Sequence, residues 1–338
     1  MDAKKKQTLS FYNGVYVQSR GTAAGPKEGQ GPIGGEIDKI FTDLHCNEDN
    51  WDKAERTLMR TAVDQCLQKI KWSYHDIDLL FAGDLNNQIV ASNYFAREMA
   101  IPFFGLFTAC SSSMATTTLA SVFVDGGFAK KVVAATSSHN AVAERQFRNP
   151  TEYGAQKPPS ATFTVTGAGA LLLTNQKSKI RVTHATIGKI VDMGMTDPND
   201  MGSAMAPAAA DTIVQHFKDL KVGPQDYDLI VTGDLSKVGL PICKDLVKAK
   251  GYDLGDRYND CGLIIYDPEM DKDVLSGGSG CACCAVTTFA HLLKRVELGQ
   301  LKKILVVATG ALMSPLMTQQ KETIPCIAHG VVFEHVEE

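Results

Sequence analysis

One cysteine stands where a protein can hold a reactive thiol. Cys110 ends the apolar run LFTAC and precedes Ser111, Ser112 and Ser113, which open a predicted helix. The first amides of a helix have no partner within the helix, and its dipole favours negative charge, so a thiolate there is stabilised. A free cysteine is, however, more often an inert buried side chain. The local sequence therefore leaves two interpretations of Cys110, a nucleophile or a core cysteine.

The elements around Cys110 recur later in the chain. YHDIDLLFAGDL (residues 74–85) returns as PQDYDLIVTGDL (residues 224–235), and each segment ends in Gly-Asp-Leu. FTACSSSM has a weaker echo in GSGCACCA, which pairs Cys110 with Cys281, and GGFAKKVVAATSS is echoed by LGQLKKILVVATGA. Three matches in the same order indicate an internal duplication.

Each copy alternates strand-like and helix-like segments. Residues 51–70 carry apolar side chains at helical spacing, whereas DIDLLFAG and KKVVAAT are short apolar runs typical of strands buried on both faces. This alternation predicts an α/β fold in which helices cover mixed, mostly parallel sheets. Two copies predict two halves related by a pseudo-twofold axis. The polar segment TNQKSK places their boundary between residues 1–175 and residues 176–338.

The composition excludes several classes of protein. The chain has 338 residues, of which 44% are hydrophobic and 21% charged, with a net charge of −4. This balance argues against nucleic acid as a partner and against anionic lipid as the main one. No stretch reaches the roughly 18 apolar residues of a membrane-spanning helix, and the start MDAKKKQTLSFY lacks the apolar core of a signal peptide. We therefore expect a soluble protein that reaches a membrane only through a partner.

The cysteines do not indicate a metal or a cofactor. The chain has nine of them, and an odd number without an export signal favours reduced thiols. Cys281 and Cys284 form a C-x-x-C pair, but a structural zinc site needs a second pair of ligands at similar spacing. We interpret this pair as small buried side chains on a helix.

The duplicated halves and the cysteine at a helix start resemble the thiolase superfamily, which includes thiolases and ketoacyl synthases. FTACSSSM is similar to the nucleophile motif of that superfamily, and TGAGALLLT is similar to its DGAGAVVL strand. The resemblance implies a duplicated α-β-α-β-α layered fold and a homodimer. It also implies an acyl-thioester site in which Cys110 meets histidines, or a histidine and an asparagine, from the second half.

Two positions depart from the superfamily pattern. The G-H-x-x-G-A-A-G motif falls on SGGSGCACCAV, with Gly277 at the histidine position, and N-A-H-G-T-x-T falls on IVTGDLSKV, with Gly233 there. Loss of a general base or of oxyanion donors costs orders of magnitude in rate. IPCIAHGVVFE resembles the terminal thiolase strand and supplies Cys326 and His329, and we expect His329 to approach Cys110. The pattern predicts a vestigial nucleophile and no catalysis.

Longer phrases resemble a narrower family. SRGTAAGPKEGQGPIG, TSSHNAVAERQFRNPTEYG, MGSAMAPAAADTI and IPCIAHGVVFE, which span residues 19–334, are similar to phrases of the stage V sporulation protein AD family. That resemblance implies a soluble subunit, peripheral at the spore inner membrane, of the stage V sporulation A assembly of membrane proteins. The assembly moves dipicolinic acid (pyridine-2,6-dicarboxylic acid) into the developing spore and out at germination. The ligand, free or as its calcium chelate, would occupy the pocket that corresponds to the thiolase active site.

A flat aromatic dianion needs cations or amide donors for its carboxylates and an apolar slot for its ring. The candidate contacts are Cys110, Ser111, His329, Asp84, Arg145, Arg148 and Lys157. The segment HNAVAERQFR could equally be a solvated helix on which Glu144 pairs locally. Asp84 and Asp234 would repel a bare dianion, so we expect them to anchor loops, with Asp84 also bordering the pocket.

Two other functions stay open from the sequence. One is an active thiolase or acyltransferase that uses Cys110 with His329 and Cys326 as unusual partners. The other is a scaffold whose pocket is a relic.

Overall fold

The structure is a computed structural model that describes residues 6–147 and 157–337. The strands are β1 (Thr8–Ala24), β2 (Lys39–Ile40), β3 (Leu79–Gly83), β4 (Phe103–Gly105), β5 (Lys131–Ser138), β6 (Phe163–Thr164), β7 (Gly167–Thr174), β8 (Ile180–Thr186), β9 (Leu229–Thr232), β10 (Tyr258–Asp260), β11 (Gly278–Ser279), β12 (Lys303–Ala311) and β13 (Cys326–His335). The helices are α1 (Pro26–Gly29), α2 (Trp51–Gln68), α3 (Val90–Met99), α4 (Ser112–Asp125), α5 (Asn140–Phe147), α6 (Met201–Leu220), α7 (Ser236–Lys248), α8 (Cys261–Ile265), α9 (Cys281–Val286), α10 (Leu293–Glu297) and α11 (Pro315–Gln319). A π-helical segment, Thr287–Leu292, joins α9 to α10.

The sheet repeats one strand order in its two halves. The order across the sheet is β10-β9-β12-β13-β8-β1-β7-β5-β3-β4. In each half the central strands run parallel, β9 beside β10 and β12, and β3 beside β4 and β5. The following pairs are antiparallel, and β1 pairs with β8 where the halves meet. The duplication read from the sequence is therefore present in the topology.

The proposed boundary at residues 175 and 176 falls between β7, which ends at Thr174, and β8, which begins at Ile180. The first repeat ends at this turn, because β7 is the last strand of one repeat and β8 is the first strand of the next. The division into two domains stays a prediction.

The helices form layers because each buries one apolar stripe. On α2, Asn50 accepts the Lys53 amide at the N-terminus, and Leu58 and Ala62 pack with β-strand residues such as Leu172. Helices α6 and α7 cover the second half in the same way. Helix α4 contacts β3 and β5 of the first half as well as β12 and β13 of the second. It lies with α9 between the two halves of the sheet.

Small residues let the central helices approach the sheet closely. A Cβ at Gly169 of β7 would lie 2.9 Å from the Cβ of Ala285 on α9. The buried hydroxyls of Thr116, Thr117 and Ser121 donate back to backbone carbonyls of α4, so they need no outside partner. Within residues 6–147 and 157–337, no helix has the length and apolar character needed to cross a membrane.

Candidate functional site

A cavity beside Cys110 opens beyond the carboxyl ends of the parallel strands, and its empty space of about 460 Å³ includes the solvent at its open side. It is lined by Leu85, Ala109, Cys110, Ala143, Glu144, Phe147, Thr164, Met201, Ser279, Ala311 and Met313. The lining draws on both halves of the chain. Its walls are mostly apolar, with a few polar groups that could orient a ligand, as small-molecule sites usually are.

Cys110 is held at the cavity by a tight turn. The turn follows β4, and Ala109 adopts φ +49°, in the left-handed region that non-glycine residues rarely occupy. The thiol of Cys281 donates to the Ala109 carbonyl at 3.1 Å, which fastens the turn to the start of α9. The two cysteines paired by the duplication therefore lie in one buried cluster, Cys110 in the turn before α4 and Cys281 at the start of α9.

The surroundings of Cys110 suppress its ionisation. Burial raises the pKa of the thiol well above its usual value, and the nearby negative charge of Asp234 raises it further. These effects oppose the stabilisation by a helix start that the sequence suggested. At neutral pH Cys110 is a thiol, which is a poor nucleophile.

The amides at the start of α4 are already occupied. The Ser111 amide donates to the Thr108 carbonyl at 3.2 Å, and the Ser112 amide donates to the Ala109 carbonyl at 3.1 Å. The Ser111 hydroxyl also donates to the Thr108 carbonyl, at 2.6 Å, and Ser111 is buried behind the cavity wall. These donors close the turn rather than face the cavity.

Asp234 is the acid of the second half, and its carboxylate lies near enough to Cys110 to affect the pKa of the thiol. One carboxylate oxygen accepts the Thr309 hydroxyl, and the other accepts the Ser279 hydroxyl and the Gly280 amide, both at 3.0 Å. Burial raises the pKa of Asp234, while these donors lower it. Asp234 therefore ties β9, β11 and β12 together directly beneath the thiol.

The two glycines at superfamily histidine positions sit in crowded places. A Cβ at Gly233 would lie 3.0 Å from the backbone of Ala308, and one at Gly277 would lie 2.7 Å from the hydroxyl oxygen of Ser236. Gly277 also has φ +130°, which side chains rarely adopt. Neither position has room for an imidazole without movement of its neighbours.

Asp84, the corresponding acid of the first half, turns away from the cavity. Its oxygens accept the Asn86 amide at 2.9 Å and the Ser92 amide and hydroxyl at 2.8 and 2.6 Å. It lies beside Glu55, whose pKa is raised to about 8 by burial and by Asp84. Asp84 anchors the loop that leads into α3 and is not among the residues lining the cavity.

Asp260 anchors the matching loop in the second half. It accepts the amides of Leu235, Ser236 and Gly262, each at 2.9 Å, and the Thr232 hydroxyl at 2.7 Å. Burial raises the pKa of its carboxyl to about 7. In the sequence Asp260 is a single acid within the segment NDCG, and such a residue carries no signal for this role.

The basic side chains proposed as ligand contacts do not all lie near the cavity. Arg145 is half exposed and pairs with Asp52 of α2 at 2.7 Å, away from the cavity lining. Glu144, which the sequence treated only as a local partner, lines the cavity and pairs with Lys157 at 2.7 Å. Arg148 lies outside the described residues.

His329 lies in the sheet and does not line the cavity. It sits opposite Ala308 on β12, and its Nδ1 accepts the Gly188 amide at 3.3 Å. Burial lowers the pKa of His329 to about 4, so the ring is neutral. Cys326 begins the same strand, and its thiol donates to the Ile324 carbonyl at 3.6 Å.

The described part of the chain holds no cluster of three or more histidine, cysteine, aspartate or glutamate side chains suited to a metal ion. Cys281 and Cys284 are buried on α9, packed within the central layer.

Comparison with known sequences gives a match over nearly the whole chain. The family model described as Stage V sporulation protein AD (SpoVAD) matches residues 5–334. Stage V sporulation protein AD of Bacillus subtilis (strain 168) is 60% identical over 329 residues, which cover 97% of each chain.

Comparison with solved structures identifies the fold. 3-Oxoacyl-[acyl-carrier-protein] synthase III from Aquifex aeolicus VF5 aligns with a TM-score of 0.58 at 12% identity, covering 95% of this chain and all of the other. A variant of OleA from Xanthomonas campestris aligns with a TM-score of 0.60 at 15% identity, covering 98% of this chain and 99% of the other. The thiolase-like α/β fold predicted from the sequence is confirmed.

Proposed function

Because the chain belongs to the stage V sporulation protein AD family, we propose that it binds dipicolinate, free or as the calcium chelate, in the cavity beside Cys110. In this proposal the protein is a non-catalytic subunit of the spore's dipicolinate channel assembly. It serves uptake during spore maturation and release at germination.

The observation that carries the absence of catalysis is the burial of the Cys110 thiol near the buried Asp234 carboxylate, and both effects raise the pKa of the thiol. Thiolate formation would place a second negative charge against Asp234 inside a buried site, which is unfavourable. A condensing enzyme needs the opposite arrangement, with a base or a cation that stabilises the thiolate. The crowding around Gly233 and Gly277 supports the same conclusion, because it leaves little space for a catalytic imidazole.

The cavity has apolar walls that suit the flat ring of a ligand and one ion pair that can meet its carboxylates. Phe147, Met201 and Met313 supply apolar surface around it. Glu144 lines the cavity and pairs with Lys157, and in this proposal the lysine pairs with a ligand carboxylate instead. If the ligand arrives as the calcium chelate, the Glu144 carboxylate becomes a ligand for the metal instead.

Membrane proteins of the stage V sporulation A assembly would hold this subunit at the spore inner membrane. The thiolase-like fold makes a homodimer the expected form in solution. Both statements are part of the proposal and follow from the family.

Isothermal titration calorimetry tests the ligand. We expect heat from dipicolinate, with and without calcium, and none from acetyl-coenzyme A. Lys157→Met should weaken binding of free dipicolinate by about tenfold, because a charge-assisted hydrogen bond is lost. Lys218→Met, at an exposed position on α6, is the matched control and should bind normally.

Acetyl-coenzyme A also tests the alternative, an acyltransferase that uses Cys110. An acyl adduct in the intact-protein mass that disappears in Cys110→Ala would overturn the non-catalytic proposal. Coenzyme A binding without dipicolinate binding would overturn the ligand assignment.

A further inference from the structure

A second, larger cleft lies at the opposite end of the sheet from Cys110. We call it the basal cleft; it has about 1120 Å³ of free space. It is lined by Val17, Gln18, Ser19, Arg20, Lys69, Ile70, Lys177, Ser178, Lys179, Ile180 and Glu297. In the sheet register Val17 pairs with Leu173, and Leu173 pairs with Val132 near the amino end of β5. The basal cleft therefore lies at the amino end of this strand, whereas Cys110 lies beyond the carboxyl ends. The basal cleft and the Cys110 cavity can therefore be occupied independently.

The basal cleft contains a gap in the strand pairing of β1. Strand β8 pairs with β1 only as far as Tyr16, and β2 takes up the same side again at Ala23. Between these points, residues 17–22 pair with β7 on the other side only. A strand edge in a cleft is the element to which extended peptides add.

Side chains, rather than a strand, close this edge. The Ser178 hydroxyl donates to the Val17 carbonyl at 2.7 Å, and the Lys69 ammonium donates to the Arg20 carbonyl at 2.7 Å. The Thr22 amide donates to Asp38 at 2.9 Å. Such contacts protect an edge against unwanted pairing, yet flexible side chains can give way to a specific partner.

Cations outnumber carboxylates in and beside the basal cleft. Arg20, Lys69, Lys177 and Lys179 line it, whereas Glu297 of the lining pairs with Arg20 at 2.8 Å and the adjacent Asp38 pairs with Lys69 at 2.7 Å. The whole chain carries a net charge of −4, so this concentration of cations is local. The cations come from three separate segments around a space far larger than one phosphate, which favours an elongated polyanion.

We propose that the basal cleft binds an acidic, extended peptide segment of a partner protein, which adds as a strand beside residues 17–22 of β1. Lys69 is the latch. It now bonds the Arg20 carbonyl and pairs with Asp38 at 2.7 Å. When it turns to a carboxylate of the incoming segment, the Arg20 carbonyl becomes free to accept a peptide amide.

Fluorescence anisotropy with the full chain tests the proposal. The probe is a fluorescein-labelled peptide of alternating glutamate and valine, about six residues long, the length of a typical strand. Lys177→Glu combined with Lys179→Glu should weaken binding by at least about tenfold, because attraction becomes repulsion. Lys218→Glu combined with Lys250→Glu changes the net charge equally at exposed sites outside the cleft and should bind normally. Amide hydrogen exchange at residues 17–22 should slow when the peptide is bound.

Several outcomes would overturn the proposal. Equal loss in both double variants would mean nonspecific attraction, and unchanged exchange at residues 17–22 would exclude strand addition. Two further probes are inorganic phosphate and vesicles of phosphatidylserine and phosphatidylcholine. Binding of either probe that the Lys177/Lys179 variant abolishes, and that the peptide does not compete with, would assign the cleft to phosphate chemistry. Urea unfolding of each variant confirms that the fold is intact.

Discussion

The two halves of the molecule carry the same acid after the same strand and use it in opposite ways. Asp84 accepts three hydrogen bonds from its own loop and holds the approach to α3. Asp234 lies near Cys110 and bonds Ser279, Gly280 and Thr309. In the second half the loop is held by Asp260 instead. A duplicated residue can therefore take up a site role once another side chain does its structural work.

The paired cysteines diverge in the same direction. Cys110 lines the cavity, whereas Cys281 is fully buried and donates to the Ala109 carbonyl. Cys110 forms part of the cavity wall, and Cys281 stabilises the turn that carries Cys110.

The largest expected effect tests whether Asp84 and Asp260 are structural equivalents. Asp84→Ala and Asp260→Ala should each lower the free energy of unfolding by about 3 kcal/mol, because each leaves three or more buried donors without an acceptor. Urea unfolding measures the loss. Asp256→Ala, at an exposed position, should change it by less than about 0.5 kcal/mol. A large cost for one aspartate and a small cost for the other would break the equivalence.

The second test concerns the charge on Asp234. Asp234→Asn removes the negative charge near Cys110, so the pKa of the thiol should fall and its alkylation by iodoacetamide at pH 8 should accelerate severalfold. Mass spectrometry of the Cys110 peptide gives the rate. Asp84→Asn is the matched control and should leave that rate unchanged. Equal acceleration in both variants would show that loosened packing, not charge, controls the thiol.

A smaller effect should appear in the pH dependence of stability. The folded-state pKa of Glu55 is raised to about 8 from an ordinary value of 4.5, so between these pH values the folded chain holds a proton that the unfolded chain has released. The free energy of unfolding should therefore fall as pH rises, with Glu55 contributing about 1 kcal/mol between pH 6 and 7. Glu55→Gln should flatten that slope, whereas Glu322→Gln, which is exposed, should not. A slope identical in all three proteins would contradict the buried position of Glu55.

The smallest effect is expected at His329. Because its ring is neutral and does not line the cavity, His329→Gln should alter the alkylation rate of Cys110 by less than about twofold, as distant sites behave independently. A change of the size expected for Asp234→Asn would instead make His329 a partner of the thiol and would revive the acyltransferase alternative.

The fold and the central cysteine pair could be predicted from sequence because repeats and apolar periodicity report directly on buried elements. The pairing of Cys110 with Cys281 and the alternation of strands and helices both needed only local patterns. The hydrogen bonds that Asp234 accepts from Ser279 and Thr309 could not be found in that way. They depend on β9, β11 and β12 converging from distant parts of the chain.

The same limit applies to the cavity rim. Glu144 and Lys157 carry ordinary side chains on either side of a polar segment, and only the folded chain reveals that they pair at the cavity. Arg145, one residue further along α5, has the stronger charge signal for a ligand but faces Asp52. Adjacent positions on a helix point about 100° apart, so a one-residue difference decides which side chain meets the ligand.

The antiparallel ladder between β1 and β8 has a consequence for how any small molecule gains entry. Thr8 to Ser10 pair with His184 to Thr186, and Val15 and Tyr16 pair with Val182 and Arg181. This ladder joins the repeats in one continuous sheet, so a clamshell motion about the seam would have to break backbone hydrogen bonds. Entry to the cavity beside Cys110 therefore cannot depend on opening the two repeats about this seam without the loss of those backbone hydrogen bonds.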